Sequence, residues 1–500
     1  MKLEMKRPAV AVTACEHSLD PPDWHAARAL AHRMVDDLFA YHESIGHRPV
    51  WQPVPDHVRE ALDQPLPAGP QAAEAVYEEF LDHVLPFGPG NGHPRFWGWV
   101  IGTGTVSGML AEMLAAGMNA IVSGGDHAPL YVERQVVRWC AEMVGYPAGS
   151  GLLVSGASMA NLVGLTVARE ARAGWDVRLR GAHAGPPLAA YGSVEMHSSI
   201  EKAIRLLGMG ADALRRLPVD AQYRINLDAL QAAVRADRVA GLRPICVVGN
   251  AGTVNTGAVD DLTALADFCE REGLWFHVDG AFGALAALSP TLRPLVAGMA
   301  RADSLAFDLH KWMHMPYEIG CVLLRDEAHH RRTFSLAADY LAPQSRGLAG
   351  GPVWFSEYGP QLSRSFRALK AWMGIKEHGI EQYRRQVEQN VTQAAYLAEL
   401  VMRHPALELL APVPLNVVCF RYRGRPRSRQ LPPSADALDA LNEELLLRLH
   451  ESGVAVPSYT RIDGCYALRV AITNHRSRRE DLELLVKEVV RLGDVLARAE

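Results

Sequence analysis

Lysine is scarce in this 500-residue chain: it supplies seven of the 51 basic residues, at positions 2, 6, 202, 311, 370, 376 and 487, and arginine supplies the rest. Chemistry that needs a primary amine is confined to those few positions, because a guanidinium does not condense with an aldehyde. Cysteine is sparse as well. The seven cysteines, at positions 15, 140, 246, 269, 321, 419 and 465, are odd in number, widely spread and contain no CxxC pair, which argues against a disulfide framework and against zinc. No Gly-Lys dipeptide occurs, so the phosphate loop of a nucleotide hydrolase is missing and Asp326-Glu327-Ala328-His329 is not a helicase box. Charge of one sign is not in excess either. A net charge of -5 gives no attraction to nucleic acid or an anionic membrane. The alternating Arg421, Arg423, Arg425, Arg427 and Arg429 read as a solvated linker, since no aromatics interleave after Tyr422.

Long apolar runs are also missing. The longest weakly charged stretch, Val100 to Gly125, contains Glu112, Asn119 and many glycines and reads as core helix and loop, not a membrane span. Only Ala9 to Ala14 separate Lys2, Lys6 and Arg7 from Cys15, too short for a signal-peptide core. A soluble cytoplasmic protein is expected. With 49% hydrophobic residues it can bury a sizeable core.

Helical spacing of Leu30, Met34 and Leu38 predicts an N-terminal helical arm, broken at Arg48-Pro49-Val50-Trp51-Gln52-Pro53. From about residue 150 strand-like runs (Gly151 to Ser155, Ile245 to Gly249, Leu274 to Val278, Ile319 to Leu324) alternate with helical ones (Ser158 to Ala171, Leu262 to Arg271). That pattern predicts an α/β fold with a mainly parallel sheet, and a site at the carboxyl ends of its strands. After a polar stretch from Arg423 to Ser434, Ala435 to His450, Val454 to Pro457, Ala467 to Ile472 and Asp481 to Leu492 complete a small αβ unit. The expected division is 1–110 for the N-terminal segment, 111–400 for the large domain and 401–500 for the small one.

Two motifs carry chemistry. Asp308-Leu309-His310-Lys311-Trp312 follows His277-Val278-Asp279-Gly280-Ala281 by about thirty residues. Lys311, set between a histidine and a tryptophan, is a candidate for imine formation with an aldehyde. Asp279 can keep a pyridine nitrogen protonated, so that the ring withdraws electrons from a bond broken on an imine-linked substrate. Together they point to pyridoxal 5'-phosphate. Ser155-Gly156-Ala157-Ser158 ends a strand and starts a helix, whose free amides can hold a phosphate. Alone it would read as an ordinary cap.

His277-Val278-Asp279, Ala251-Gly252-Thr253-Val254-Asn255-Thr256-Gly257 and His310-Lys311-Trp312, in this order, resemble the group II pyridoxal-phosphate decarboxylases, the aromatic-L-amino-acid decarboxylase family. The likeness runs from about Leu19-Asp20-Pro21 to Leu468-Arg469-Val470-Ala471-Ile472-Thr473-Asn474. It implies fold type I, like aspartate aminotransferase, and a homodimer with the active site at the interface. It also implies Ala157, Ser158 and His310 on the phosphate, His197 stacked on the cofactor ring, Thr253 near its phenolic oxygen or the substrate carboxylate, and Ala281 allowing the ring to approach Asp279. Phe96, Trp97 and Trp99, with Arg95, fall in a segment that lines the substrate pocket in relatives, where two indoles and a phenyl favour an aromatic amino acid. Tyr340 falls where the family has the tyrosine that returns a proton after carbon dioxide leaves, and Tyr358 stands in reserve. Asp308 receives no role, so Asp308→Asn is expected to be far milder than Asp279→Asn. The glycines of Gly102-Thr103-Gly104 read as an active-site loop, not a dinucleotide loop.

The sequence reading is therefore a decarboxylase giving an amine. The alternatives are oxidative deamination to an aldehyde, an aminotransferase or lyase on the same fold, and a cofactor-binding homologue without turnover. Met313-His314-Met315-Pro316-Tyr317-Glu318 and the stretch from Tyr340 to Arg364-Ser365-Phe366-Arg367 depart from the animal enzymes. Borohydride reduction is expected to fix the cofactor to Lys311, and Lys311→Ala to abolish that link, as read by peptide mass spectrometry. A label on any other lysine overturns the assignment.

Overall fold

The computed structural model describes residues 18–336, 344–351, 353–424 and 434–499. Twelve strands are found among them: β1 Phe96–Trp97, β2 Ser150–Val154, β3 Leu188–Ser193, β4 Leu214–Leu217, β5 Arg243–Asn250, β6 Trp275–Asp279, β7 Ser304–Asp308, β8 Gly320–Leu324, β9 Leu407–Leu409, β10 Val417–Tyr422, β11 Val456–Ile462 and β12 Cys465–Ala471. Seven form the main sheet in the order β2-β8-β7-β6-β5-β3-β4. All its pairs are parallel except those of β8, which runs against both β2 and β7. Every residue of β6, β7 and β8 is buried, as expected for a sheet covered on both faces.

Register decides where the strands deliver their ends. Val154 pairs with Gly320, and Gly320 pairs with Asp308, so the segments after β2 and β7 leave the sheet side by side. Gly320 has to be glycine: a Cβ there would lie 2.6 Å from the Gly156 Cα and 2.7 Å from Asp308 Oδ1. On helix Ala157–Arg172, a Cβ at Gly164 would lie 2.8 Å from the His277 ring, so this glycine lets the helix settle onto β6.

The second sheet has the order β1-β11-β12-β10-β9. Its edge strand β1 comes from the N-terminal third of the chain and pairs in parallel with β11 through Phe96–Val456 and Trp97–Pro457. A two-residue strand has no readable period, so this pairing leaves no trace in the amino-acid order. β3 and β7 were not anticipated either. Their Leu-Ala-Ala-Tyr-Gly-Ser and Ser-Leu-Ala-Phe-Asp sequences lack the β-branched residues that mark strands. Helix Ala368–Arg403 bends at Gly379 (φ 68) and joins the two cores, with Ile375 and Val387 in the larger and Leu397 and Val401 in the smaller. The expected arm is helix Trp24–Ser44, capped by Asp23, with Leu30, Met34 and Leu38 half-buried. Asp326 of the apparent helicase box simply caps helix Glu327–Phe334. No helix among the described residues is long and apolar enough to cross a membrane.

Burial lowers His93, His277 and His330 to about 4, about 3 and about 4. The unfolded chain takes up a proton on each near 6.5, and the folded chain does not. Their contribution to stability is therefore complete above that value and declines as pH falls towards 4. Urea unfolding is expected to show a loss of about 1 kcal/mol per histidine between pH 7.5 and 5.5. Unchanged slope in a His330→Gln variant would remove that residue from the account.

Candidate active site

Asp279 is the last residue of β6 and is almost fully buried. Its Oδ1 accepts from the Ala281 amide at 3.1 Å and its Oδ2 from Asn161 Nδ2 at 2.9 Å. Asn161 lies one turn into the helix that starts at Ala157. Its Oδ1 is 2.9 Å from His277 Nε2, and His277 Nδ1 is 2.8 Å from Ser304 Oγ. Burial keeps His277 neutral, and Trp275 Nε1 donates to Ser304 Oγ at 2.8 Å. One direction satisfies the whole chain: indole to hydroxyl, hydroxyl to imidazole, imidazole to amide, amide to carboxylate.

The Asn161 amide also reaches Ser199 Oγ at 3.0 Å. Ser199 in turn holds His197, whose Nδ1 accepts from the Ser199 amide at 3.2 Å and lies 2.9 Å from its hydroxyl. Burial lowers His197, so the neutral ring carries its proton on Nε2. Both His197 and Asp279 line a cavity of about 540 Å³ at the carboxyl ends of the parallel strands.

Lys311 Nζ enters the same cavity and lies 2.9 Å from Asp308 Oδ2. Asp308 Oδ1 accepts from the Ala157 amide at 2.6 Å, and His310 Nε2 is 3.6 Å from Oδ2. The reading that gave Asp308 no role is corrected: it caps the helix, orients Lys311 and engages the very amide expected to hold phosphate. Ser158 is exposed to the cavity, and Ala281 and His310 line it. His310 Nδ1 accepts from the Ile319 amide at 3.1 Å, and the Tyr317 ring lies 4.4 Å away, centroid to centroid.

Of the three aromatics expected in the pocket, Phe96 and Trp99 line it and Trp97 does not. Alternation along β1 turns Trp97 into the smaller core, where it is 1% exposed and its Nε1 donates to Ser477 Oγ at 2.9 Å. Trp99 takes the left-handed conformation (φ 52) and is largely exposed. The Gly102 loop packs on the lysine segment, since a Cβ at Gly102 would lie 2.0 Å from the His310 carbonyl oxygen. Thr253 is buried in the turn after β5, its hydroxyl 3.1 Å from that of Thr256, and is not among the lining residues. Tyr340 lies outside the described residues. Tyr358 donates to Glu327 Oε1 at 2.5 Å, away from the cavity, so the reserve candidate is withdrawn. The sequence reading missed Asn161, Asp308 and Tyr317. A buried amide one turn after Ala157-Ser158, and a carboxylate three residues before Lys311, were the available signals.

The pyridoxal-dependent decarboxylase conserved domain matches residues 55–423, and the chain belongs to this family. The aromatic-L-amino-acid decarboxylase of Bacillus atrophaeus is 31% identical over 473 residues, 93% of this chain and 95% of that protein. The phenylacetaldehyde synthase of Arabidopsis thaliana is 29% identical, with 91% and 93% covered. Among solved structures, that of Oryza sativa TDC with PLP and tryptamine matches with a TM-score of 0.88 at 25% identity, covering 96% of this chain and 100% of that one. The fold is fold type I, the cofactor is pyridoxal 5'-phosphate and the enzyme is a carboxy-lyase. The donor set fits the cofactor: an amine at Lys311, a carboxylate held by neutral donors at Asp279, and a helix start bearing Ser158 beside His310.

Asn161→Leu removes the donor shared by Asp279 and Ser199 and is expected to lower kcat roughly 10- to 100-fold with the fold retained by circular dichroism. Asp279→Asn is expected to be more severe, and Asp308→Asn to fall between. Wild-type kcat in Asn161→Leu would dismiss the relay.

Proposed function

We propose that this enzyme decarboxylates an aromatic L-amino acid to its amine. The observation that carries the substrate class is the cavity wall. Phe96, Trp99, Ile101 and Tyr317 offer aromatic and aliphatic surface, and among the described residues Lys311 is the one lysine or arginine that lines it. The identity to the Bacillus atrophaeus enzyme supports the same class.

The assignment of roles follows the geometry. Lys311 would hold the cofactor through its aldehyde carbon, and Asp308 at 2.9 Å orients the amine. Ser158 and His310 would hold the phosphate at the start of the helix. Asp279, whose oxygens accept from the Asn161 side chain and the Ala281 amide, is placed to face the pyridine nitrogen. His197 offers its ring face and an Nε2 proton. Bound pyridoxal 5'-phosphate supplies the electron sink for the bond to the departing carboxylate. Tyr340 returns the proton to the α-carbon.

We further propose a cytoplasmic homodimer with the active site at its interface. Trp24, Met113, Leu114, Met118 and Ile121 place exposed apolar surface on the N-terminal helices and the loop beyond them, which a second copy would cover. The six cysteines of the described residues are all free, which suits a reducing compartment.

The identity to a phenylacetaldehyde synthase keeps the aldehyde outcome as the second reading. A panel of aromatic, acidic and aliphatic amino acids, assayed for carbon dioxide, amine, ammonia and peroxide, decides between them. Carbon dioxide and amine in equal amounts from an aromatic substrate are expected, with little peroxide. Tyr340→Phe is expected to shift the products towards aldehyde, ammonia and peroxide while decarboxylation persists. Amine at the wild-type rate from that variant would remove Tyr340 from the mechanism, and aldehyde from the wild type would establish the second reading.

A further inference from the structure

The back of the substrate wall is gripped by one short stretch of the C-terminal sheet. Arg469, 3% exposed, donates from Nη1 to the Trp99 carbonyl at 2.9 Å and from Nε to the Asn255 carbonyl at 3.1 Å. Thr473 Oγ1 donates to the Ile101 carbonyl at 3.0 Å. Asn474 Nδ2 donates to the carbonyls of His93 at 2.8 Å and Phe96 at 3.3 Å. Apart from Asn255, which lies beyond β5, these acceptors belong to the segment whose Phe96, Trp99 and Ile101 side chains face the cavity. Holding a wall by its carbonyls leaves those side chains free for substrate and fixes the left-handed backbone that aims Trp99.

The same stretch is tied to the catalytic lysine. Asn390, fully buried on the long helix, donates from Nδ2 to the Asn474 carbonyl at 3.1 Å and accepts from Trp312 Nε1 at 2.9 Å. Trp312 adjoins Lys311. The wall and the amine thus meet through one amide.

We propose that Arg469, Thr473 and Asn474 are positioning residues that hold the substrate wall by its backbone, and that Asn390 sets the wall's distance from Lys311. The inference rests on the decarboxylase reading above. Loosening the wall alone costs substrate binding, whereas loosening the joint also displaces the amine from the bond to be broken.

The test is steady-state kinetics of the holoenzyme on its best aromatic amino acid, with thermal melting and borohydride-fixed cofactor on Lys311 measured for each variant. Thr473→Val and Arg469→Met are expected to raise KM roughly 10-fold with kcat within about twofold of wild type and full cofactor. Arg469→Lys is expected to recover part of the loss, since an ammonium also donates to carbonyls. Asn390→Leu is expected to lower kcat as well. Unchanged KM in folded, fully loaded Thr473→Val and Arg469→Met overturns the proposal, as does a loss of melting temperature without the KM shift. Wild-type protein that turns over no amino acid fails the decarboxylase reading instead. The variants are then compared by calorimetric Kd for the amino acid that wild type binds best, and equal Kd values overturn the proposal.

Discussion

Asp279 is a carboxylate at the end of a strand with no exposed residue, and an ionised group left without partners there would cost several kcal/mol or take up a proton. The protein meets this constraint with neutral donors to the carboxylate, the Asn161 side chain and the Ala281 amide. Asn161 is kept in one orientation by His277, which burial keeps neutral. Because the same amide serves Ser199, the carboxylate and the His197 ring share a single support.

The same demand recurs at the end of β2. Arg364 is buried and donates to Glu133, to the Leu153 carbonyl at 2.6 Å and to the Val122 carbonyl at 2.8 Å. A buried ion pair of this kind adds little net stability, but removing one partner strands the other. Its position explains its use: it pins the strand that leads into Ser155 and Ser158 to the segment entering helix Ala368–Arg403. Asp308 does the equivalent at the end of β7, where close approach through Gly320 and Gly156 lets its carboxylate meet the helix that follows β2.

Much of this was legible in the residues. β5, β6 and β8 lie within one or two residues of the predicted runs, because strands buried on both faces are nearly continuous in apolar residues. The helices Ala157–Arg172, Leu262–Glu272 and Ala435–Glu451 were readable from their period. β3 and β7 were hidden by small residues, and β1 by its length. Trp97 and Trp99 look alike in the sequence, two positions apart near a glycine. The pairing of β1 with β11 puts Trp97 in a core, and the left-handed backbone at Trp99 breaks the alternation that would give both one face and turns Trp99 to the cavity.

The sequence by itself determined the reactive groups: one lysine beside a histidine, one aspartate after a buried run, and a serine-flanked turn, each with a chemistry that its functional group dictates. Their order along the chain carried the family resemblance. Tertiary structure alone decided which neighbours hold them, because Asn161, Asp308, Arg469 and Asn474 act by hydrogen bonds to residues far away in the chain. Such bonds are fixed by strand register and by the need to satisfy buried polar groups, and neither leaves a periodic trace in the amino-acid order.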